Sequence, residues 1–299
     1  MPGTTEANAP LDRLSALLSR FRVQASLFHT GALCGLSSFE ARPGRAFLHI
    51  LRRGHMEVRH PPLAGRRARA TSFQVNEPTL LLYPRPLHHV FVNPPREGSD
   101  FTCATLDFDG GERNPFVSAL PDLVRVPLAE VEGLHPTLDL LFAETDRMRC
   151  GSQLLTDRLF EVVLIQLMRW LIDRPEQAGI QPGLITGLAD PRLARALVAL
   201  HRAPHADWTL AGMAAEAGMS RSAFAECFKA TTGTTPANYL LDWRLSLAAS
   251  MVRAGRPMKL IAPELGFSSA SSLSRAFKQR LGQSPRAWEA ARTTPITPP

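Results

Sequence analysis

Several features that would place a chain in a common class are missing from this sequence. It has no apolar run of about 18 residues or more, so we expect no transmembrane helix and no membrane partner. The first ten residues lack a basic segment followed by an apolar one, so we expect no secretory signal. The four cysteines are widely separated and form neither a Cys-x-x-Cys pair nor a disulfide framework. These absences predict a soluble protein of the reducing cytoplasm.

Motifs that would indicate an enzyme are absent as well. The sequence contains no G-x-S-x-G, no H-E-x-x-H and no glycine-rich phosphate loop. These patterns position a nucleophile, a zinc ion or a nucleotide phosphate in most chains that carry them. We therefore expect no catalytic residue and no cofactor.

Excess positive charge is absent from the first two thirds of the chain. Residues 1–188 contain 20 basic and 20 acidic side chains, and residues 189–299 contain 14 basic against 7 acidic, so the whole net charge of +7 lies in the last third. All three lysines (Lys229, Lys259 and Lys278) lie there too. A basic region joined to a neutral one indicates a polyanion as partner of the basic part. A merely solubilising surface charge is the alternative.

What is present divides the chain into two regions. Short apolar stretches separated by Gly- and Pro-containing turns predict strands of a sandwich or barrel between about residues 23 and 127, at 47–51, 79–83, 89–92 and 101–108. Apolar residues at helical spacing predict a short helix over 11–21 and two helices between Pro136 and Asp173, separated by Gly151.

A segment rich in proline and glycine, RPEQAGIQPG at 174–183, has the composition of an interdomain linker. Everything after about Asp190 has helical periodicity. We therefore predict an α+β chain of two domains, with a β-rich domain over 1–175, a linker over 176–188 and an all-α domain over 189–299.

The all-α region contains an internal repeat. The first copy spans 209–240 and the second 259–288. Gly218 matches Gly266 at a spacing of 48, and Phe228 matches Phe277 at a spacing of 49, as does Tyr239 with Trp288.

Each copy has the residue pattern of a helix-turn-helix unit. Leu210, Met213, Ala214 and Ala217 form one face of a short helix, and Gly218 follows where a tight turn needs a residue without a Cβ. Ser220 is placed to cap a second helix, which Phe224, Cys227 and Phe228 anchor to the first. The second copy repeats the pattern with Leu273, Ala276 and Phe277. A long helix over Pro236–Ala254 joins the copies.

The outer faces of the two second helices carry small polar and basic residues, which the DNA major groove admits. We take these residues as DNA-binding candidates: Ser220, Arg221, Ser222, Ala225 and Lys229 in the first copy, and Ser269, Ser271, Ser272, Arg275 and Lys278 in the second.

The two segments GMSRSAFAECFKATTGTTPANYL and GFSSASSLSRAFKQRLGQSPRAW resemble the DNA-binding region of AraC/XylS-type transcription regulators over about 100 residues. The resemblance implies a two-unit binder of double-stranded promoter DNA, with RNA polymerase as a further partner. Two positions depart from the family's pattern. Glu226 stands where the family often has arginine, and Pro263 lies inside the helix that precedes Gly266.

The first region resembles the cupin-like domain attached to many such regulators, on LHILRRGHMEV (48–58) and LLLYPRPLHHVF (81–91). This resemblance implies recognition of a small-molecule, metal or redox effector in the barrel and homodimerisation through helices in 137–172. A cupin-barrel metalloenzyme with a DNA-docking domain is the alternative. Metal-dependent cupins have an H-x-H motif, whereas His88 and His89 are adjacent and point to opposite faces of a strand. An architectural DNA-packaging protein is a third interpretation, against which a neutral domain of this size argues.

Four residues of the first region are effector candidates: Cys34, His49, His89 and Cys103. The resemblance extends to regulators whose barrel cysteines respond to oxidants. Thiolate and imidazole also suit zinc or copper, so the four residues are candidates for one soft-metal site. The alternative is that the cysteines are buried as small apolar residues.

Overall fold

The predicted fold class is confirmed by a computed structural model that describes residues 11–62, 70–96 and 98–290. One unit, residues 22–181, carries the strands and the helices that follow them, and a second unit of helices comprises residues 11–21 and 182–290. The ends of the two predicted domains, residues 1–10 and 291–299, lie outside the described residues.

The strands of the first unit follow the short apolar stretches of the sequence. In the described part of the chain they are β1 (Val23–Leu33), β2 (Leu36–Phe39), β3 (Ala46–Arg53), β4 (Met56–His60), β5 (Thr71–Val75), β6 (Thr79–Tyr83), β7 (His89–Val92), β8 (Ser99–Phe108) and β9 (Val124–Pro127). The four strands predicted from the apolar stretches correspond to β3, β6, β7 and β8. Strands β3 and β6 are almost completely buried, which explains why their sequences are continuously apolar.

The strands form two antiparallel sheets, in the orders β1-β8-β3-β6-β9 and β2-β7-β4-β5. The register of β3 sets His49 opposite Cys103 on β8 and opposite Leu81 on β6. Residues opposite each other on antiparallel strands have side chains on the same face, so these three share one face of the sheet. That face belongs to a buried cluster that also includes Tyr83 and Phe91.

The described helices are α1 (Ser15–Leu18), α2 (Pro115–Ala119), α3 (His135–Asp146), α4 (Ser152–Asp173), α5 (Leu184–Ala189), α6 (Pro191–Arg202), α7 (Leu210–Ala217), α8 (Arg221–Thr232), α9 (Pro236–Arg253), α10 (Met258–Glu264), α11 (Ala270–Leu281) and α12 (Pro285–Ala290). The two predicted helices around Gly151 are α3 and α4, and the predicted long connecting helix is α9. No helix in the described ranges combines the length and the apolar character that crossing a bilayer requires.

The helix predicted over 11–21 is shorter than expected and packs in the second unit. Only Ser15–Leu18 is α-helical, and Leu14, Leu17 and Phe21 are buried. The Phe21 ring meets the Trp243 ring edge-on at 5.3 Å. Most of the predicted apolar stripe is therefore buried, but in the second unit, whereas the predicted first domain, 1–175, included these residues.

The last five residues of the predicted linker, 176–188, are helical. Residues 184–188 lie in α5, where Leu184, Ile185 and Leu188 are buried. A Cβ added at Gly187 would lie 2.8 Å from Leu197 Cδ1, so this glycine permits close packing of α5 on α6. The three apolar side chains explain why the segment folds despite its glycines.

Candidate nucleic-acid interface

The first helix-turn-helix unit is built by local capping. Thr209 caps the start of helix α7, and its hydroxyl accepts from the backbone N–H of Gly212 at 3.0 Å. Gly218 caps the end of α7 with a φ of 65°, and the Met219 N–H donates to the Ala214 carbonyl at 2.9 Å. This left-handed glycine turns the chain sharply into the next helix. Leu210, predicted as part of the buried face, is 41% exposed.

Helix α8 begins where the sequence predicted. The Ser220 hydroxyl accepts from the Ala223 N–H at 3.3 Å, so this serine caps the helix. Phe224 and Phe228 are fully buried, whereas Cys227, predicted as a third anchor, is half-buried. The helix is therefore anchored mainly by these two phenylalanines, and most of its other side chains are exposed.

The second unit repeats this construction with two differences. Its first helix, α10, has seven residues and contains Pro263, which removes one backbone donor. The cap of α11 is Ser269, whose backbone N–H and hydroxyl exchange hydrogen bonds with Ser272 in a capping box. Leu273 and Phe277 are the buried anchors of α11.

The repeat seen in the sequence recurs as one ring pair in each unit. Phe228 meets Tyr239 edge-on, with centroids 5.4 Å apart and planes at 81°. Phe277 meets Trp288 with centroids 5.9 Å apart and planes at 80°. Edge-to-face pairs of this kind are favoured by the ring quadrupoles. Each pair fixes the second helix of a unit to the helix that follows it.

Two arginines that the sequence did not single out bind the chain on either side of α7. Arg195 donates to the Ala217 carbonyl at 2.8 Å, at the end of α7. Arg244 donates to the carbonyls of Pro204 and Ala206 at 2.7 and 3.0 Å. Both are long-range bonds to backbone carbonyls, for which a sequence carries no pattern.

The predicted DNA-binding residues are brought together on α8 and α11 and their caps. Eight of them are exposed, and Ala225 and Ser272 are half-buried. The Ser272 hydroxyl also donates to the Ser269 carbonyl at 2.8 Å. That hydroxyl is already used by the capping box, whereas the neighbouring Ser271 side chain is exposed.

In the β-rich unit, residues 22–181, the structure pairs two of the four effector candidates. His49 Nε2 lies 2.9 Å from His89 Nε2, and both side chains are completely buried. His89 Nδ1 lies 2.8 Å from the Leu87 carbonyl, to which it must donate. His89 Nε2 is then an acceptor, so the His49 Nε2–H donates to it. His49 Nδ1 is left as a buried acceptor without a partner among the described residues.

Burial keeps this histidine pair neutral. It lowers the pKa of His89 to about 3 and, together with the neighbouring His89, lowers the pKa of His49 well below its ordinary value. Aromatic rings surround the pair. Tyr83 stacks on His89 with centroids 3.8 Å apart, and Phe47 stacks on His49 at 5.6 Å.

The two cysteines are placed differently. Cys103 is fully buried opposite His49, and burial raises the pKa of its thiol, which disfavours the reactive thiolate. Cys34 is exposed just after β1. In the described ranges, no three or more His, Cys, Asp or Glu side chains are grouped so that they could hold a metal ion. The four candidates therefore do not form the single site that the sequence suggested.

Comparison with known proteins agrees with this division. Residues 12–173 match the family model described as cupin, and residues 213–291 match the model described as a helix-turn-helix domain. A putative AraC-like transcription regulator of Streptomyces antibioticus is 40% identical over 169 residues, which are 56% of this chain and 55% of that protein. A second, of Streptomyces lividans, is 37% identical over 194 residues, 63% of each chain.

A third relative is the HTH-type transcriptional regulator AlkR of Acinetobacter baylyi. It is 33% identical over 178 residues, which are 58% of this chain and 57% of that protein. The chain thus spans less than two thirds of the length of each of these three relatives.

Proposed function

This chain belongs to the cupin family, whose model matches more than half of it, and on that premise we propose that it is an AraC-like transcription regulator that binds promoter DNA and responds to an effector. The observation that carries the proposal is the pair of helix-turn-helix units. Each presents an exposed helix that is anchored from behind by two buried apolar side chains. A helix held in this way is free to enter the major groove.

Charge and helix length support DNA as the partner. Both units lie in the region that carries the net charge of +7. Lys229 and Lys278 are exposed on α8 and α11, the two helices proposed to enter the groove and called the reading helices below. The connecting helix α9 has 18 residues, which at 1.5 Å per residue is about 27 Å. That length suits two helices that enter successive turns of one groove, about 34 Å apart.

The buried histidine pair supports the β-rich unit, residues 22–181, as the effector-binding part. Its aromatic surroundings suit an apolar or planar small molecule, and the unpartnered His49 Nδ1 offers that molecule one acceptor. A metal or redox signal is the other form of the proposal: His49 and His89 are the paired ligands for a metal, and Cys34 is the exposed thiol for an oxidant. The two imidazoles supply fewer ligands than the four of a structural zinc site.

Exposed apolar side chains on α4 support a homodimer. Leu155 and Val162 are 39% and 41% exposed and lie seven residues apart, so they share one face of the helix. Leu140 on α3 is 47% exposed. We propose that a second copy covers this face, with RNA polymerase as a further partner and the cytoplasm as the place of action.

Selection from a random DNA pool tests the proposal, repeated with oxidants and metal ions. We expect the full chain to enrich one sequence and to bind its own promoter region in preference to random DNA. The affinity should fall steeply as salt rises, because phosphate contacts release counterions. Equal binding to its promoter region and to random DNA would rule out specific regulation.

A further inference from the structure

Glu226 occupies the outermost position of the first reading helix. It lies two residues after Phe224 and two before Phe228, and at about 100° per residue it points away from both buried anchors. Arg275 has the same relation to Leu273 and Phe277 in α11. The two units therefore present side chains of opposite charge at the same point.

Both side chains are available for an outside partner. Glu226 and Arg275 are exposed, and in the described part of the chain neither takes part in an ion pair. Arg280 on α11, by contrast, is held by Asp242 at 2.6 and 2.7 Å. The charge at each outermost position is therefore not needed to hold its own unit together.

The cleft beside each of these residues shows the same difference in charge. The cleft of the first helix-turn-helix unit has a volume of about 750 Å³ and is lined by Ala225, Lys229 and Pro236. The cleft of the second unit, of about 460 Å³, is lined by the residues at the repeat-equivalent positions, Ser274, Lys278 and Pro285.

Two further positions of the clefts differ in charge between the units. Arg275 and Arg286 line the second cleft where Glu226 and Ala237 line the first. The second cleft thus joins three cations and suits a backbone phosphate. In the first cleft the carboxylate of Glu226 stands in place of one cation, beside Lys229 and Arg244, and a phosphate at the position of Glu226 itself would meet like charge.

Base edges are the groups of DNA that a carboxylate at this point can bind. In the major groove, hydrogen-bond donors are the amino groups of cytosine and adenine, and carboxylates accept from the N4 amino group of cytosine. Adenine presents its amino group beside the N7 acceptor, which suits an amide better than a carboxylate. Cytosine is therefore the base that matches Glu226.

We propose that Glu226 is a specificity-determining residue that accepts a hydrogen bond from the N4 amino group of a cytosine in the operator. The inference rests on the proposed function of DNA binding. It makes the two units unequal readers, because Arg275 presents donors where Glu226 presents acceptors. One half of the operator then carries a cytosine where the other carries a guanine or a phosphate contact.

The test compares the bases selected from a random DNA pool by the full chain and by three variants. Glu226→Gln adds amide donors and should move the preference at one position from cytosine to adenine. Glu226→Arg places two parallel donors at the same point and should move it to guanine, whose O6 and N7 are both acceptors. Glu216→Gln, at an exposed position of α7, makes the same change of charge as Glu226→Gln and should leave every preference unchanged.

We expect discrimination for cytosine at that position to fall by about tenfold in both Glu226 variants, with all other positions unchanged. An unaltered preference in both would overturn the inference and leave the proposed function standing. Absence of any preference in the unmodified chain would overturn both. Because Glu226→Arg predicts a gain of preference for guanine, a loss of folding cannot imitate the expected result.

Discussion

The imidazoles of His49 and His89 face each other inside the β-rich unit, residues 22–181, with their Nε2 atoms 2.9 Å apart. The two residues lie on β3 and β7, which belong to different sheets. One proton lies between the two nitrogens, and the outer nitrogen of His89 donates to the Leu87 carbonyl. The pair therefore links the two sheets only while His89 Nε2 is unprotonated, because that atom accepts the His49 Nε2–H.

Acid should destabilise the β-rich unit, residues 22–181, through the pair of His49 and His89. Both pKa values are lowered in the folded state, that of His89 to about 3, so below about pH 6.5 the unfolded chain binds more protons than the folded one. The free energy of unfolding should then fall with decreasing pH, by up to about 1.4 kcal/mol per pH unit for each histidine. Urea denaturation at several pH values between about 7 and 5 measures this slope.

The variant His89→Phe keeps an aromatic ring and removes one titrating group, so its slope should be flatter. The difference from the unmodified chain isolates His89, since burial also lowers the pKa of His201 in the second unit to about 3. His135→Gln, at an exposed position, serves as control. Equal slopes for the unmodified chain and His89→Phe would contradict the prediction.

Gly266 and Gly282 offer a matched test of the turn between α10 and α11 in the second helix-turn-helix unit. Both have a φ of 75°, so alanine at either position is strained by about 1–2 kcal/mol. At Gly282 an added Cβ meets no atom within 4 Å, whereas at Gly266 it would lie 2.7 Å from Arg244 Nη2 and 2.8 Å from the His205 carbonyl oxygen. We expect Gly266→Ala to lower the free energy of unfolding by at least about 1 kcal/mol more than Gly282→Ala.

Urea denaturation of the two glycine variants measures that difference. The physical reason is that Arg244 must leave the carbonyls of Pro204 and Ala206 or the turn must move. Gly266→Ala should also weaken DNA binding by the second unit, and Gly282→Ala should do so less. Equal losses of stability would show that the turn accommodates the methyl group.

Ser271 and Ser272 are neighbours with different expected roles. Ser272→Ala removes half of the capping box of α11 and should cost about 1 kcal/mol of stability. Ser271→Ala removes an exposed hydroxyl and should leave stability unchanged while reducing base discrimination by about 1–3 kcal/mol if its contact is a good one. Thermal unfolding and competition binding of the two variants separate these effects, and the reverse pattern would show that the reading face was misassigned.

The exposed face of α4 should mediate dimerisation. The double variant Leu155→Glu, Val162→Glu places two carboxylates on that face and should yield monomers, because burying unpaired charges opposes association. Leu36→Glu, at a side chain of β2 that is 72% exposed, is the control. Sedimentation equilibrium measures the mass, and a dimer that persists in the double variant would place the interface elsewhere.

The helix-turn-helix units could be predicted from the sequence because their determinants are local. Phe224 and Phe228 lie one helical turn apart, Gly218 takes the positive φ that a tight turn requires, and Ser220 caps the helix that follows it. Each of these relations spans only a few residues. The repeat also matched Phe228 with Phe277 and Tyr239 with Trp288, and these are the four residues that form the two ring pairs.

Packing between distant segments could not be predicted in this way. The expected helix over 11–21 was correct in its apolar stripe, but its burial beside Trp243 depends on residues more than 200 positions away. Arg195 and Arg244 bond to backbone carbonyls, which every residue has, so their partners leave no trace in the sequence. The predicted linker likewise contained most of α5, whose leucines and isoleucine outweighed Gly187.

The sequence by itself determined the two domains in outline, the two reading helices and the residues that they expose. Only the tertiary structure decided that His49 and His89 meet while Cys34 stays at the surface. Residue types and local spacing decide helices and turns. The meeting of side chains from separate strands depends on the sheet register, which the burial of all the strands decides together.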